Sequence, residues 1–176
     1  MRAIAGVMLI CLVAGCRPPR PGVAAGAVPA ADSIVLERTN CYGACPAYRL
    51  SVSRSGRVHF VSRNWGDSTR AVSTTPSRGA FAGLMRQAQE IGFWTLPDTV
   101  VGSVLCQYEV TDHPFVTVTI FGRRDFKRVA DYLGCFDGPP ELRRFEMKID
   151  SAAGSARWVR PATFAASPGP GRGTDG

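Results

Sequence analysis

Tyr48-Arg49-Leu50-Ser51-Val52-Ser53-Arg54-Ser55-Gly56-Arg57-Val58-His59-Phe60 is the stretch that decides the fold. Tyr48, Leu50 and Val52 alternate with Arg49, Ser51 and Ser53, which is the two-residue period of a strand buried on one face. Ser55-Gly56 interrupts the run, and Val58 and Phe60 resume it, so the stretch predicts a β-hairpin. His59 falls between the two apolar positions and is expected to face solvent.

On the N-terminal side, Ser33-Ile34-Val35-Leu36-Glu37-Arg38 is a short β-prone run. On the C-terminal side, Thr69 to Thr74 predicts a weaker strand. Thr75-Pro76 then predicts a helix start, with Thr75 as N-cap and Pro76 in the first turn. Phe81, Leu84, Met85, Ala88 and Ile91 recur at helical spacing, and Gly92 sits where a C-terminal cap belongs. Phe93 and Trp94 follow and are expected to lock the helix end onto the sheet. Phe115–Phe121 and Phe126–Tyr132 are two further strands joined by the Gly122-Arg123-Arg124-Asp125 turn. Asp137-Gly138-Pro139-Pro140 starts a second helix with the stripe Leu142, Phe145, Ile149, Ala152 and Ala153, ended by Gly154. A further strand is allowed between the first helix and Phe115. Hairpins connect most strands, so the fold class is α+β: a mainly antiparallel sheet with two helices packed on one face.

The ends of the 176-residue chain read differently. Met1-Arg2 is followed by an uncharged apolar run, Ala3 to Ala14, shorter than the roughly 20 residues that span a bilayer. Such length and flanks are those of a signal segment, residues 1–15. Its end, Leu12-Val13-Ala14-Gly15-Cys16, resembles the lipobox of bacterial lipoproteins. That resemblance implies a lipid on Cys16. Two or more acyl chains would anchor the protein durably. Arg17, in the position where aspartate retains such proteins at the inner membrane, implies the periplasmic face of the outer membrane. Residues 16–32 form a Pro/Ala-rich tether, spanning roughly 22 Å as a coil or about 50 Å if polyproline-like. The domain is expected over 33–159, and 160–176 is a Pro/Gly-rich tail. The tail contains Gly171-x-Gly173-x-x-Gly176, but no strand precedes it, so it is not a dinucleotide motif.

Charge and motif content bound the function. Formal net charge is +7, from 21 basic and 14 acidic residues. No long basic run with interleaved aromatics accompanies it, so nucleic acid is not an expected partner. No G-x-S-x-G or H-E-x-x-H hydrolase motif occurs. Asp112-His113 is a poor general-base pair, because neighbours on a strand point to opposite faces. Asp112 reads as a turn or capping residue. Trp94 reads as core and Trp65, in Asn64-Trp65-Gly66-Asp67, as the better exposed ligand candidate. Arg123, Arg124, Lys127 and Arg128 predict a basic surface on the last hairpin, with Arg124 and Lys127 least expected to be buried.

Thr39-Asn40-Cys41-Tyr42-Gly43-Ala44-Cys45-Pro46-Ala47-Tyr48 carries the pattern T-x-C-x-G-x-C-P-x-Y. With Cys106, Val110-Thr111-Asp112, Asp131-Tyr132-x-Gly134-Cys135, Leu142 and Ile149-Asp150, it resembles the bacterial domain of unknown function numbered 6438, over about residues 34–159. The resemblance implies a secreted or lipid-anchored domain and no particular activity.

Export places Cys41, Cys45, Cys106 and Cys135 in an oxidising compartment, where they read first as disulfides. Of the three possible pairings, Cys41–Cys45 and Cys106–Cys135 are favoured. An alternative assigns Cys41 and Cys45 to thiol-redox or copper chemistry, because the motif also resembles thioredoxin-like copper chaperones. His59 or His113 would then be the distal ligand. Against it, a reactive CxxxC needs a helix at the second cysteine, and here a strand pattern follows Pro46. A four-cysteine zinc site lacks the usual two-residue spacing. The expectation is therefore a membrane-anchored envelope domain with no metal or cofactor and no catalytic residue. It would bind, or hold in place, an envelope protein or an anionic surface.

Overall fold

A computed structural model describes residues 30–73 and 79–159. The signal segment, Cys16, the tether up to residue 29, Thr75-Pro76 and the tail lie outside the described residues. Six strands and two helices follow one another as β1 (Ala31–Arg38), β2 (Tyr48–Ser53), β3 (Val58–Ser62), β4 (Arg70–Ser73), α1 (Ala80–Glu90), β5 (Phe115–Gly122), β6 (Phe126–Tyr132) and α2 (Pro140–Ala153). They form one sheet in the order β4-β3-β2-β1-β5-β6, antiparallel at every junction. The fold is α+β. The first four strands meander, and the chain then crosses through α1 to place β5 on the other side of β1.

The register follows from alternation. Leu36 stands opposite Leu50 on β2 and Val118 on β5, and Leu50 stands opposite Phe60 on β3. Ile34, Val52, Val58, Val116, Ile120 and Val129 complete this apolar face. The buried stripes of α1 (Leu84, Met85, Ala88) and α2 (Leu142, Phe145, Ile149, Ala153) join it in one core with Phe93. Each fully buried side chain of this kind contributes roughly 1.5–3 kcal/mol. A one-residue slip would turn Arg49, Ser51 and Ser53 inward instead, so the register is strongly held.

Four features differ from the sequence reading. β1 begins at Ala31, two residues inside the expected tether, because Ala31 is buried against the core and its carbonyl is held by the Arg54 guanidinium. α1 starts at Ala80, not beside Pro76: Gly79, at φ 105°, is its N-cap without a side-chain cap bond. Between α1 and β5 there is no further strand among the described residues, only isolated bridges at Thr99 and Glu109. Here 96–114 is a loop stitched to the β6 edge. Tyr132 donates its hydroxyl to Val110 O at 2.7 Å, and Asp137 accepts from the Gln107 and Tyr108 backbone N–H groups. Gly134 makes the close approach possible, since a Cβ there would strike Val110 O and the Tyr132 ring. The fourth difference is Lys127. It stands opposite Ile120 on the helix side of β6, with its side chain only 18% exposed, and pairs with Asp98 at 2.6 Å. It therefore leaves the basic cluster expected on the last hairpin.

Two disulfides close loops at the same end of the sheet. Cys41 is bonded to Cys45, four residues on, and Cys106 to Cys135, 29 residues on. The longer loop removes more entropy from the unfolded chain. Cys106→Ser with Cys135→Ser should cost roughly 3.6 kcal/mol, and Cys41→Ser with Cys45→Ser roughly 2 kcal/mol. Urea unfolding of the two variants checks the order. A larger loss from the shorter loop would mean that native contacts, not chain entropy, set the value of these bonds.

Candidate functional site

The cysteine loop is a turn closed by a disulfide. Its sulfurs are joined, Cys41 and Cys45 are both half-buried, and strand β2 starts three residues after Cys45. Among the described residues, no helix starts in or directly after the loop. His59 is exposed on β3 opposite Ser51. His113 is exposed against the rings of Tyr132 and Phe136. Neither histidine is brought into a ligand set with Cys41 and Cys45. Among the described residues, the set of three ligating side chains within 4.8 Å of one another is Cys106, Cys135 and Asp137. Two of those are disulfide sulfurs with no thiolate to offer.

Other candidates separate cleanly. Trp94 packs edge-on against buried Phe93 and belongs to the core margin. Trp65 is 91% exposed, in a loop pinned by Asn64, whose side-chain oxygen accepts the Ala47 N–H at 2.7 Å. Asp112 adopts φ 68° and accepts the Tyr42 N–H through its carbonyl, so it is a turn residue.

Beneath the sheet lies a polar cluster that the sequence reading missed. Asp150 on α2 takes Arg38 of β1 on one oxygen, at 2.8 Å and 3.1 Å. Its other oxygen takes the Tyr48 hydroxyl at 2.6 Å and the Ser155 hydroxyl at 2.7 Å. Nearby, Asp131 of β6 is fully buried and paired with Arg143 at 3.0 Å, and Glu146 is 2% exposed. One oxygen each of Asp131 and Glu146 has no hydrogen-bond partner. Burial pushes the Glu146 carboxyl up to about 8, and the charge of Asp131 adds to the rise. Burial likewise raises Asp131, against the pull of Arg143. Burial also raises the Tyr48 hydroxyl, helped by Asp150, whereas Arg38 is held charged by Asp150 in spite of burial. Asp131 and Glu146 are buried, while the side chains of Arg38, Asp150 and Arg143 keep 19%, 18% and 26% exposure, so the cluster is largely shielded from water and has the character of a scaffold. A signal was present: Arg38 continues the Ile34–Leu36 alternation, and Glu146 falls one helical turn after Leu142.

Among the described residues, no helix packs on the opposite face of the sheet, here the open face. By register it carries Arg49, His59, Arg70 and Arg128, with Arg57 and Arg63 continuing the alternation at either end of β3. All except the half-buried Arg49 are exposed. Glu37 is the acid at the paired positions of this face, and it is engaged by Arg49 at 2.9 Å. Phe121 and Phe126 sit at one end of the face as an exposed ring pair, 5.9 Å apart, beside exposed Arg123 and Arg124. The basic surface is thus a whole sheet face rather than one hairpin.

The cluster has a signed pH consequence. Glu146 has a folded pKa of about 8 against an ordinary 4.5. The native state therefore binds its proton more tightly than the unfolded chain does. The stability this contributes is full below about 4.5 and is lost as pH rises toward 8, at up to about 1.4 kcal/mol per pH unit. Glu146→Gln should remove most of that decline, so the variant gains on the wild type as pH rises. Denaturant midpoints at pH 5 and pH 8 check it; a wild type with the same pH slope as Glu146→Gln would show the carboxyl to be ionised throughout.

Comparison with known proteins adds a family but no activity. No curated protein matches the chain. A family model described as a domain of unknown function, DUF6438, matches residues 32–153, which is β1 through the end of α2. That span holds every strand, both helices, both disulfides and the open basic face, and on it the chain belongs to the DUF6438 family.

Proposed function

We propose that this chain is an exported lipoprotein, acylated at Cys16 and tethered to the periplasmic face of the outer membrane. Its domain is a non-enzymatic binding module that works through the open sheet face. The observation that carries the binding part is the charge of that face: at its paired positions Arg49, Arg70, Arg128 and His59 stand against Glu37, which is already paired to Arg49, and Arg57 and Arg63 follow at the ends of β3. An antiparallel sheet with helices on one side leaves its other side to water, and solvated faces ordinarily mix both signs. Basic residues near an anionic surface are each worth about 1 kcal/mol, and the attraction fades within about 8 Å at physiological salt. The exposed Phe121–Phe126 pair gives one end of the face an apolar foothold at a headgroup boundary. Support for the anchor comes from Val13-Ala14-Gly15-Cys16 and the tether that follows.

Two measurements test this reading. The wild type should incorporate labelled palmitate and begin at Cys16 when mature, while Cys16→Ala should remain unlabelled and unprocessed. A mature N-terminus elsewhere would end the lipoprotein assignment. Separately, an anchor-free chain starting at residue 17 should bind anionic vesicles at low salt and release at high salt. Arg57→Glu with Arg70→Glu should weaken that binding by about tenfold or more. Equal binding to neutral and anionic vesicles would exclude the open face as an anion-seeking surface.

A further inference from the structure

At the cysteine-loop end of the open face, where β1 and β2 part, there is a cleft of about 350 Å³. Glu37, Asn40, Arg49, Arg63, Thr117 and Arg128 line it. These residues come from five different strands or strand ends, and the sheet register brings them together: Arg49, Glu37 and Thr117 stand in one row across β2, β1 and β5. Arg128 reaches in from the next row of β6, opposite Thr119. Arg63 is held at the end of β3 by its backbone bond to Ala47 at 2.8 Å, directly after the disulfide loop.

The charges do not cancel. Arg49 is matched by Glu37 at 2.9 Å. Arg38, whose backbone borders the cleft, is matched on the far side of the sheet by Asp150. Arg63 and Arg128 are exposed, and among the described residues neither makes an ion pair. Two spare guanidinium groups therefore border one concave site that also offers the Asn40 amide and the Thr117 hydroxyl. We propose that this cleft binds the dianionic phosphate group of a phosphate monoester. A carboxylate would neutralise one of the two spare charges, whereas a phosphate monoester neutralises both. Its oxygens suit the planar fork of arginine, which forms paired charge-assisted hydrogen bonds. The volume leaves room for the phosphate and a few atoms of whatever carries it, a lipid headgroup or a soluble ester. The inference rests on the reading of the open face as the binding face and gives that face a selective site.

The test uses the full chain in neutral detergent micelles, titrated with inorganic phosphate, with glycerol 3-phosphate and with acetate, and followed by amide chemical shifts. Saturable phosphate binding is expected, with shifts centred on Asn40, Arg63 and Arg128, and acetate at least about tenfold weaker. Arg63→Gln and Arg128→Gln should each weaken phosphate binding about tenfold, the scale of one lost charge-assisted contact. Arg57→Gln, on the same face outside the cleft, should change it less than about twofold. Doping the micelles with phosphatidic acid separates the sources. Tighter binding than to glycerol 3-phosphate identifies a lipid phosphate, and equal binding identifies a soluble ester. Absence of saturable phosphate binding, or acetate binding equally well, would overturn the proposal. If Arg57→Gln weakens binding as much as the cleft variants, the face attracts anions without selecting them: the cleft assignment falls and the reading of the face stands.

Discussion

The carboxylate of Asp150 is the point on which the two layers of this domain are fastened. It accepts four hydrogen bonds, two from Arg38 on β1, one from Tyr48 on β2 and one from Ser155 just past α2. Apolar packing alone would let α2 slide along the sheet at small cost. A half-buried carboxylate with four directional partners resists that, because any displacement breaks several of those hydrogen bonds at once. Fixing α2 over β1 and β2 also fixes Trp158, which follows the helix and stacks on Phe60. On the far side of the sheet, the same two strand ends, Arg38 and Tyr48, border the cleft between the open-face arginines.

Seen with this geometry, the sequence pattern that carries the family resemblance describes architecture. Tyr48 and Asp150 meet at 2.6 Å although 102 residues separate them. Asp131 supplies a buried carboxylate, Gly134 admits the Val110 carbonyl, and the four cysteines close the two loops. None of these groups is presented to solvent as a reactive set. The pattern specifies how the helices, sheet and loops are held, while Arg63 and Arg128, which border the cleft, lie outside it.

What was legible in the sequence had a period. β2, β3, β5 and β6 announce themselves because alternate residues must reach the core, and Gly92 and Gly154 adopt the left-handed conformation that ends a helix. What was illegible depended on partners far away in the chain. α1 is described from Ala80, after Gly79 at φ 105°, and no residue type next to that start signals it along the chain. Lys127 looked like part of a basic run, yet its place opposite Ile120 turns it to the helix side, where Leu96 O and Asp98 receive its ammonium. The open-face arginines are scattered over 49, 57, 63, 70 and 128, so no window along the chain contains them. Only the register assembles them.

The same register explains how charge divides between the two sides of the sheet. Of the acids in the domain, Asp131, Glu146 and Asp150 are drawn into the α2 side, Asp98 is taken by Lys127 and Glu141 by Arg144. Asp112 is occupied with a turn and Asp137 with the backbone of the 96–114 loop. Each of these placements follows from holding a polar cluster, a helix or a loop in position, and each removes a negative charge from the open face. The described residues hold 15 basic and 13 acidic side chains, so the charge of this part of the chain is nearly balanced in number but divided unevenly in space. Arg49, Arg70 and Arg128 occupy the side of the sheet away from the helices, where Glu37 is the acid at the paired positions. A surface of that kind repels itself, because like charges a few ångströms apart raise the free energy of the folded state. An anion seated among these side chains relieves that repulsion, so binding and folding of this face favour each other.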